Sequence, residues 1–260
     1  MRRVAFCFKR IIFLMKNRPL PGAAALLLFT AAIHLWAFSW APFISRDSIQ
    51  YLNAAARWAE KGSYDLFYFP PLPCFIMKLL IQLGFSPDSA GHIYSFTTGL
   101  FIPLAAYILI LKVTSNRRLA RYSAIMLTVH PLLMLFAVEP LRDGLFLLLS
   151  LLAMIAAFEG LKTQKVLPWL IGSVFTAAAW CCRFEALELV LLAFLALSVA
   201  VAKKQYTFLK AAGHFMLYTV SVLCLWGLLT AATGGLKSFD YQYRNYILNK
   251  WNLLVKRWKV

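Results

Sequence analysis

Charged residues with the chemistry of an active site stand in three short segments of this chain. The segments hold Arg46 and Asp47; Glu139, Arg142 and Asp143; and Arg183 and Glu185. An aspartate held at the mouth of a membrane cavity can act as a general base. A guanidinium group fits two phosphate oxygens with parallel hydrogen bonds. The three segments are therefore the first candidates for a functional site.

Each of these residues also has a purely structural interpretation. Asp47 can cap the N-terminus of a helix, which stabilises the helix by about 1 kcal/mol. Arg183 can form an ion pair with Glu185 or anchor a helix end at the membrane surface. Arg142 and Asp143 are neighbours and can form a local polar knot. The local sequence leaves both interpretations open.

The composition places these segments in a membrane protein. Of the 260 residues, 62% are apolar and only 14% are charged, and the mean hydropathy is +0.70. A soluble domain is about 45–50% apolar and about 25% charged. A soluble chain of this length lacks enough interior to bury so much apolar surface. The expected fold is therefore an all-α polytopic membrane protein.

The net charge is +17, from 27 basic and 10 acidic residues. The basic residues fall between apolar runs, as in cytoplasmic loops, and no nucleic-acid-binding motif is present. We therefore expect membrane lipids, and no nucleic acid, as partners. The five cysteines include no C-x-x-C pair, which favours small membrane-core residues over disulfides.

Apolar runs long enough to cross a bilayer predict seven spans. They cover Leu20–Phe43, 92–111, 119–138, 141–158, 166–182, 186–202 and 208–232. The first run is too long for a signal peptide and indicates an uncleaved anchor. Residues 73–85 are shorter, carry Lys78 and follow Pro70-Pro71-Leu72-Pro73, so we expect an interfacial helix there.

Basic residues fix the expected orientation. Residues 1–19 carry six of them before the first span, which predicts a cytoplasmic N-terminus. The loops 112–121, 162–165 and 203–210 are also basic and then lie inside. Most acidic residues fall at or near the outer face, and that clustering indicates function, because ionisable groups at membrane edges are costly. The membrane domain would be 20–232, with its first outer loop at 44–91.

The first outer loop predicts an amphipathic helix. Ser45 or Asp47 would cap it, and Gly62 would end it. Its expected apolar stripe is Ile49, Leu52, Ala56 and Ala59. We expect this helix to lie on the outer leaflet with Asp47 at its root.

Several motifs in order resemble the GT-C glycosyltransferases. They are Arg46-Asp47 with Tyr51, Trp58-Ala59-Glu60-Lys61-Gly62, Pro70-Pro71-Leu72-Pro73, His130-Pro131-Leu132, Glu139 with Asp143-Gly144, and Arg183-Phe184-Glu185. More narrowly, the chain looks like the family 39 or RgtA/B/C/D-like group, relatives of protein O-mannosyltransferases and aminoarabinose transferases. The resemblance covers roughly residues 20–200. Where that family often has Asp-Glu, this chain has Asp47-Ser48.

The resemblance implies a function and roles for the residues. Such enzymes move a sugar from a polyprenyl-phosphate donor to a lipid, glycan or protein acceptor on the outer face, in bacteria outside the plasma membrane. Asp47 would deprotonate the acceptor hydroxyl, and the attack would invert the anomeric carbon. For the donor phosphate, Arg183 would be the first candidate and Arg142 the second. The residues expected to bind the donor phosphate or sugar are Arg183, Arg142, Glu139, Asp143, Glu185, Arg46 and Tyr51.

Other features leave alternatives open. The four histidines show no metal-ligand spacing and no D-x-D triplet occurs, so we expect no cofactor, although some GT-C enzymes use a divalent metal. The basic, aromatic tail 233–260 is an interfacial helix outside, a cytoplasmic tail or the start of a further domain. The rival functions are an inactive paralogue or truncated remnant that binds lipid-linked sugars, and a small membrane transporter. A transporter would place its charges near the bilayer midplane.

Overall fold

The fold is a bundle of α-helices. A computed structural model describes residues 22–40, 45–62 and 70–232, and within them it contains no β-strand. The N-terminal segment 1–19, the tail 233–260 and part of the first outer loop lie outside the described residues. The predicted all-α class is confirmed.

Ten α-helices follow one another along the described chain. Their bounds are α1 Gly22–Phe38, α2 Arg46–Lys61, α3 Pro71–Gln82, α4 Pro87–Thr114, α5 Arg117–Thr128, α6 Pro131–Val138, α7 Arg142–Thr163, α8 Val166–Trp180, α9 Leu187–Ala202 and α10 Phe208–Ala232. A 3₁₀ turn at Phe184–Ala186 leads into α9. Helices α3, α4 and α6 begin at a proline, which has no amide proton to leave unsatisfied in a first turn.

Four helical segments of the described chain are long and apolar enough to cross a membrane. They are Pro87–Thr114, Arg142–Thr163, Phe184–Ala202 and Phe208–Ala232, and α5 with α6 adds a fifth if that bent pair is one span. Helices α1 and α8 are apolar but have only 17 and 15 residues. The protein is thus an integral membrane protein with four to five candidate spans. The count of seven stays a prediction.

The predicted span 119–138 is not one straight helix. Its two halves, α5 and α6, meet at an angle of 61°. The break falls at His130-Pro131, where His130 has extended backbone angles (φ −70°, ψ 125°). A proline disfavours the helical conformation in the residue before it, which accounts for the break. Helix α6 begins after this break and is followed directly by Glu139.

Helix α2 has the predicted ends, but its buried face follows the predicted stripe only in part. Ser45 caps it by accepting a hydrogen bond from the Ser48 amide, and Gly62 ends it with φ 71°. Of that stripe, Leu52 is buried, Ala56 and Ala59 are half-buried, and Ile49 is 48% exposed. The buried face also includes Tyr51, Ala55 and Trp58, which lie outside the predicted stripe. The buried face is set by packing against α3 and α4, and these neighbours could not be read from the local pattern.

Small residues let the membrane helices approach closely. A Cβ at Gly99 of α4 would lie 2.4 Å from the Cβ and 2.7 Å from the Cα of Ala137 in α6. By contrast, a Cβ at Gly227 of α10 would meet no atom within 4 Å. The α4–α6 contact therefore requires glycine at position 99.

We expect Gly99→Ala to destabilise the protein, because a backbone contact must open. Overpacking of this kind costs about 1–3 kcal/mol, and the midpoint of thermal unfolding in detergent should fall by roughly 2–10 °C. Gly227→Ala is the matched control. That variant should keep or raise the midpoint, because alanine favours a helix by ~1 kcal/mol. Equal midpoints in the two variants would show that the close α4–α6 approach is not formed.

Candidate functional site

The candidate site lies where four parts of the bundle meet. They are the start of α2, the link from α6 to α7, the start of α3 and the turn between α8 and α9. The Leu72 amide donates a hydrogen bond to the Cys181 carbonyl at 3.5 Å, which ties α3 to the end of α8. All eight residues predicted for the site belong to the described chain.

A buried contact joins the first outer helix to the α6–α7 link. The Ser48 hydroxyl donates a hydrogen bond to Glu139 Oε2 at 3.0 Å, and the Ser45 and Ser48 hydroxyls lie 2.9 Å apart. Ser48 is 0% exposed and Glu139 is 9% exposed. A glutamate at position 48 would set a second carboxylate against Glu139. Serine at this position therefore fits the carboxylate that faces it.

Arg183 is paired with two carboxylates, which engage three of its five N–H groups. Its Nη1 donates to Asp143 Oδ1, and its Nη2 and Nε donate to Glu185 at 2.8 and 3.3 Å. The hydrogen bond with Glu185, opposed by desolvation and reinforced by Asp143, raises the pKa of Arg183. The guanidinium also lies 5.6 Å from the Phe146 ring centre. The predicted ion pair with Glu185 is confirmed, and Asp143 pairs with Arg183 instead of its neighbour Arg142.

Arg142 lies beside this pair without joining it. Its side chain is half-buried at the first residue of α7. Within the described part of the chain it forms no ion pair. Its charge nevertheless acts on Tyr51 and on Glu185. Arg142 therefore retains guanidinium donors that an anion can use.

Tyr51 links Asp47 electrostatically to the segment that holds Arg142 and Asp143. It is 4% exposed. Burial raises the pKa of Tyr51, Arg142 opposes this shift, and Cys74, Asp143 and Asp47 reinforce it. The phenol thus feels charges from α2 and from the start of α7. The charges of Asp47, Arg142 and Asp143 therefore act on the same phenol.

Asp47 itself is exposed in the first turn of α2. Ser45, not Asp47, provides the helix cap. Among the described residues, Asp47 has neither a hydrogen-bond partner nor an ion-pair partner. Arg46 is likewise exposed. The capping interpretation of Asp47 is therefore wrong, and its carboxylate is available to a second molecule.

The sequence did not single out Tyr94 and Ser95 of α4, which fix the link carrying Glu139. The Tyr94 hydroxyl donates to the Leu141 carbonyl at 3.1 Å, and the Ser95 hydroxyl donates to the Val138 carbonyl at 3.2 Å. Their polar groups within an apolar run were the only available signal. No group of three metal-ligating side chains occurs in the described segments.

Removing Arg183 should leave two carboxylates side by side. We expect Arg183→Gln to lower the unfolding midpoint by about 3 °C, which corresponds to ~1 kcal/mol for a partly exposed network. The triple variant with Asp143→Asn and Glu185→Gln should recover most of that loss, because the repulsion disappears. A triple variant no more stable than the single one would show that repulsion between the two carboxylates does not cause the loss.

The chain was also compared with known proteins. No protein-family model, curated protein or solved structure matches it. The resemblance to GT-C glycosyltransferases consequently stays a prediction from motifs, and the function is argued from the site itself.

Proposed function

We propose that this protein is a membrane glycosyltransferase that moves a sugar from a polyprenyl-phosphate donor to an acceptor at the outer face. The proposal rests on Asp47, whose exposed carboxylate has no partner among the described residues. It lies one helical turn before Tyr51, whose pKa also responds to the charge of Arg142. A carboxylate and a guanidinium are the two groups that sugar transfer from a phosphate ester needs.

In the proposed reaction, Asp47 takes the proton of the acceptor hydroxyl as the oxygen attacks the anomeric carbon. The bond from that carbon to the phosphate oxygen breaks, and polyprenyl phosphate leaves with the bonding electron pair. Attack from the face opposite the phosphate inverts the anomeric configuration. General-base assistance of this kind is worth about 10²–10⁴ in rate.

Donor binding falls first to Arg142 in this proposal. The sequence favours Arg183, but three of its five N–H groups are already bonded to Asp143 and Glu185. Those three residues form a frame that supports the site. Glu139 accepts the hydrogen bond from Ser48 and so positions the start of α2. Arg46 and Tyr51 remain candidates for contacts with the sugar.

The proposal also fixes an orientation. The N-terminus and the basic ends of the helices face the cytoplasm, and the site faces the outside of the plasma membrane. The acceptor is a lipid, glycan or protein of the cell envelope.

A comparison of envelope glycans by mass spectrometry tests the proposal. One strain lacks the gene, one carries it intact and one carries Asp47→Asn at matched protein level. We expect the deletion to lose a sugar that the intact gene restores and Asp47→Asn does not. An unchanged glycan profile in the deletion strain would contradict the transferase function.

A further inference from the structure

A second feature lies at the opposite end of α7 from the candidate site. Helices α7 and α9 leave between them an open cavity of about 850 Å³. Its walls are apolar, with Phe158 and Leu161 on one side and Leu192, Leu195 and Val199 on the other. The three residues of α9 are 49–52% exposed.

The apolar wall runs along one face of α9 and ends in a lysine. Leu192, Leu195, Val199 and Lys203 follow at spacings of three and four residues, which places them on one side of the helix. Eleven residues separate the first from the last, a length of about 16 Å. That length is close to one leaflet of a bilayer, whose hydrocarbon core is about 30 Å thick.

Two lysines border the polar end of the cavity. They are Lys162 from α7 and Lys203 after α9. Both are exposed, and within the described chain neither forms an ion pair. The nearby carboxylate of Glu159 is engaged by Lys112 at 2.5 Å. Glu159 supplies one negative charge against Lys112, Lys162 and Lys203, so the rim keeps a net positive charge.

Neighbouring polar groups hold the rim in place. The Lys210 ammonium donates to Gln164 Oε1 at 2.8 Å, and Gln164 Nε2 donates to the Gln205 carbonyl at 2.7 Å. The Tyr206 hydroxyl donates to the Gly160 carbonyl at 2.8 Å. These bonds connect the end of α7 to the loop after α9, so the two lysines border a fixed opening.

We propose that this groove binds one anionic phospholipid, with an acyl chain along α9 and the phosphate between Lys162 and Lys203. The apolar wall suits an acyl chain in both chemistry and length. The two lysines can neutralise the negative charge of the lipid phosphate. Basic pockets between membrane helices are suited to such headgroups. The site is separate from the Asp47 site and does not depend on the proposed transferase activity.

Native mass spectrometry of the purified full chain, titrated with phosphatidylglycerol or phosphatidylcholine, tests the proposal. Lys162→Gln with Lys203→Gln should weaken phosphatidylglycerol binding about 30-fold, since each lysine near an anionic lipid contributes roughly fivefold. Lys165→Gln with Lys204→Gln removes the same charge at the same end but outside the cavity lining. This control should change binding less than about threefold, because the two lysines do not line the cavity and salt screens their charge over the longer distance to the phosphate.

A third variant tests the groove without a change of charge. Ala196 lines the cavity, and Ala196→Phe should fill it and abolish selective binding of phosphatidylglycerol. If both double lysine variants lost phosphatidylglycerol binding equally, the proposal would be overturned. The attraction would then come from the overall positive charge of this end of the protein and not from the cavity. Full binding by Ala196→Phe would also overturn it. Displacement of the lipid by millimolar inorganic phosphate would show a phosphate site in place of a lipid site.

Discussion

Asp47→Asn is expected to reduce sugar transfer about 10²–10⁴-fold, the usual contribution of a general base. The amide keeps the size of the side chain but cannot take a proton from the acceptor hydroxyl. Because Asp47 is exposed and Ser45 provides the helix cap, the variant should fold and reach the membrane normally. The measurement is the transfer rate of purified protein with its lipid-linked donor.

The chain contains a closely matched control at Asp88. Both aspartates are exposed, lie in the first turn of a helix and follow a serine that caps it, in Ser45-Arg-Asp47-Ser48 and Ser86-Pro-Asp88-Ser89. Asp88→Asn therefore repeats the change of charge and of capping context away from Tyr51. We expect Asp88→Asn to keep full activity. If both variants lose activity equally, or if Asp47→Asn keeps it, Asp47 is not the base.

Arg142→Gln should raise the KM for the donor about 10–100-fold, the equivalent of losing a charge-assisted hydrogen bond worth ~1.5–3 kcal/mol. Arg142→Lys should recover only part of this loss, because a single ammonium cannot bind two phosphate oxygens in parallel. The measurement is the initial rate across donor concentrations. Arg57, exposed on α2, supplies the control Arg57→Gln.

A larger effect at Arg183 would contradict the assignment of Arg142 as the ligand of the donor phosphate. If Arg183→Gln raised the donor KM more than Arg142→Gln did, at equal thermal stability, Arg183 would be the phosphate ligand. The phosphate would then bind the two N–H groups of Arg183 that Asp143 and Glu185 leave unbonded, or displace one of these carboxylates.

Local sequence predicted the ends of helices better than their packing. Ser45 and Gly62 delimit α2 as expected, since capping and left-handed backbone depend on nearby residues. The face that α2 buries was predicted incorrectly at Ile49. The break at His130-Pro131 has a local cause in the proline. It was not predicted, because the apolar run around it is long enough for one uninterrupted span.

The candidate site shows the same division. The Arg183–Glu185 pair spans two residues and was foreseen as an alternative. The hydrogen bond from Ser48 to Glu139 joins residues 91 positions apart, and pairings at such distance require the fold. The preference for Arg142 over Arg183 depends on which carboxylates each one meets, so only the arrangement of α7, α8 and the turn before α9 could reveal it.

The central claim is that the sugar comes from a polyprenyl phosphate and changes configuration when it is transferred. The most direct test places the purified protein in nanodiscs with the lipid-linked form of the sugar that the deletion strain loses. Released polyprenyl phosphate and the anomeric configuration of the product are then measured together, by mass spectrometry and NMR. We predict equal amounts of released lipid phosphate and product, with inverted configuration. Product with retained configuration, or transfer without release of lipid phosphate, would contradict the account.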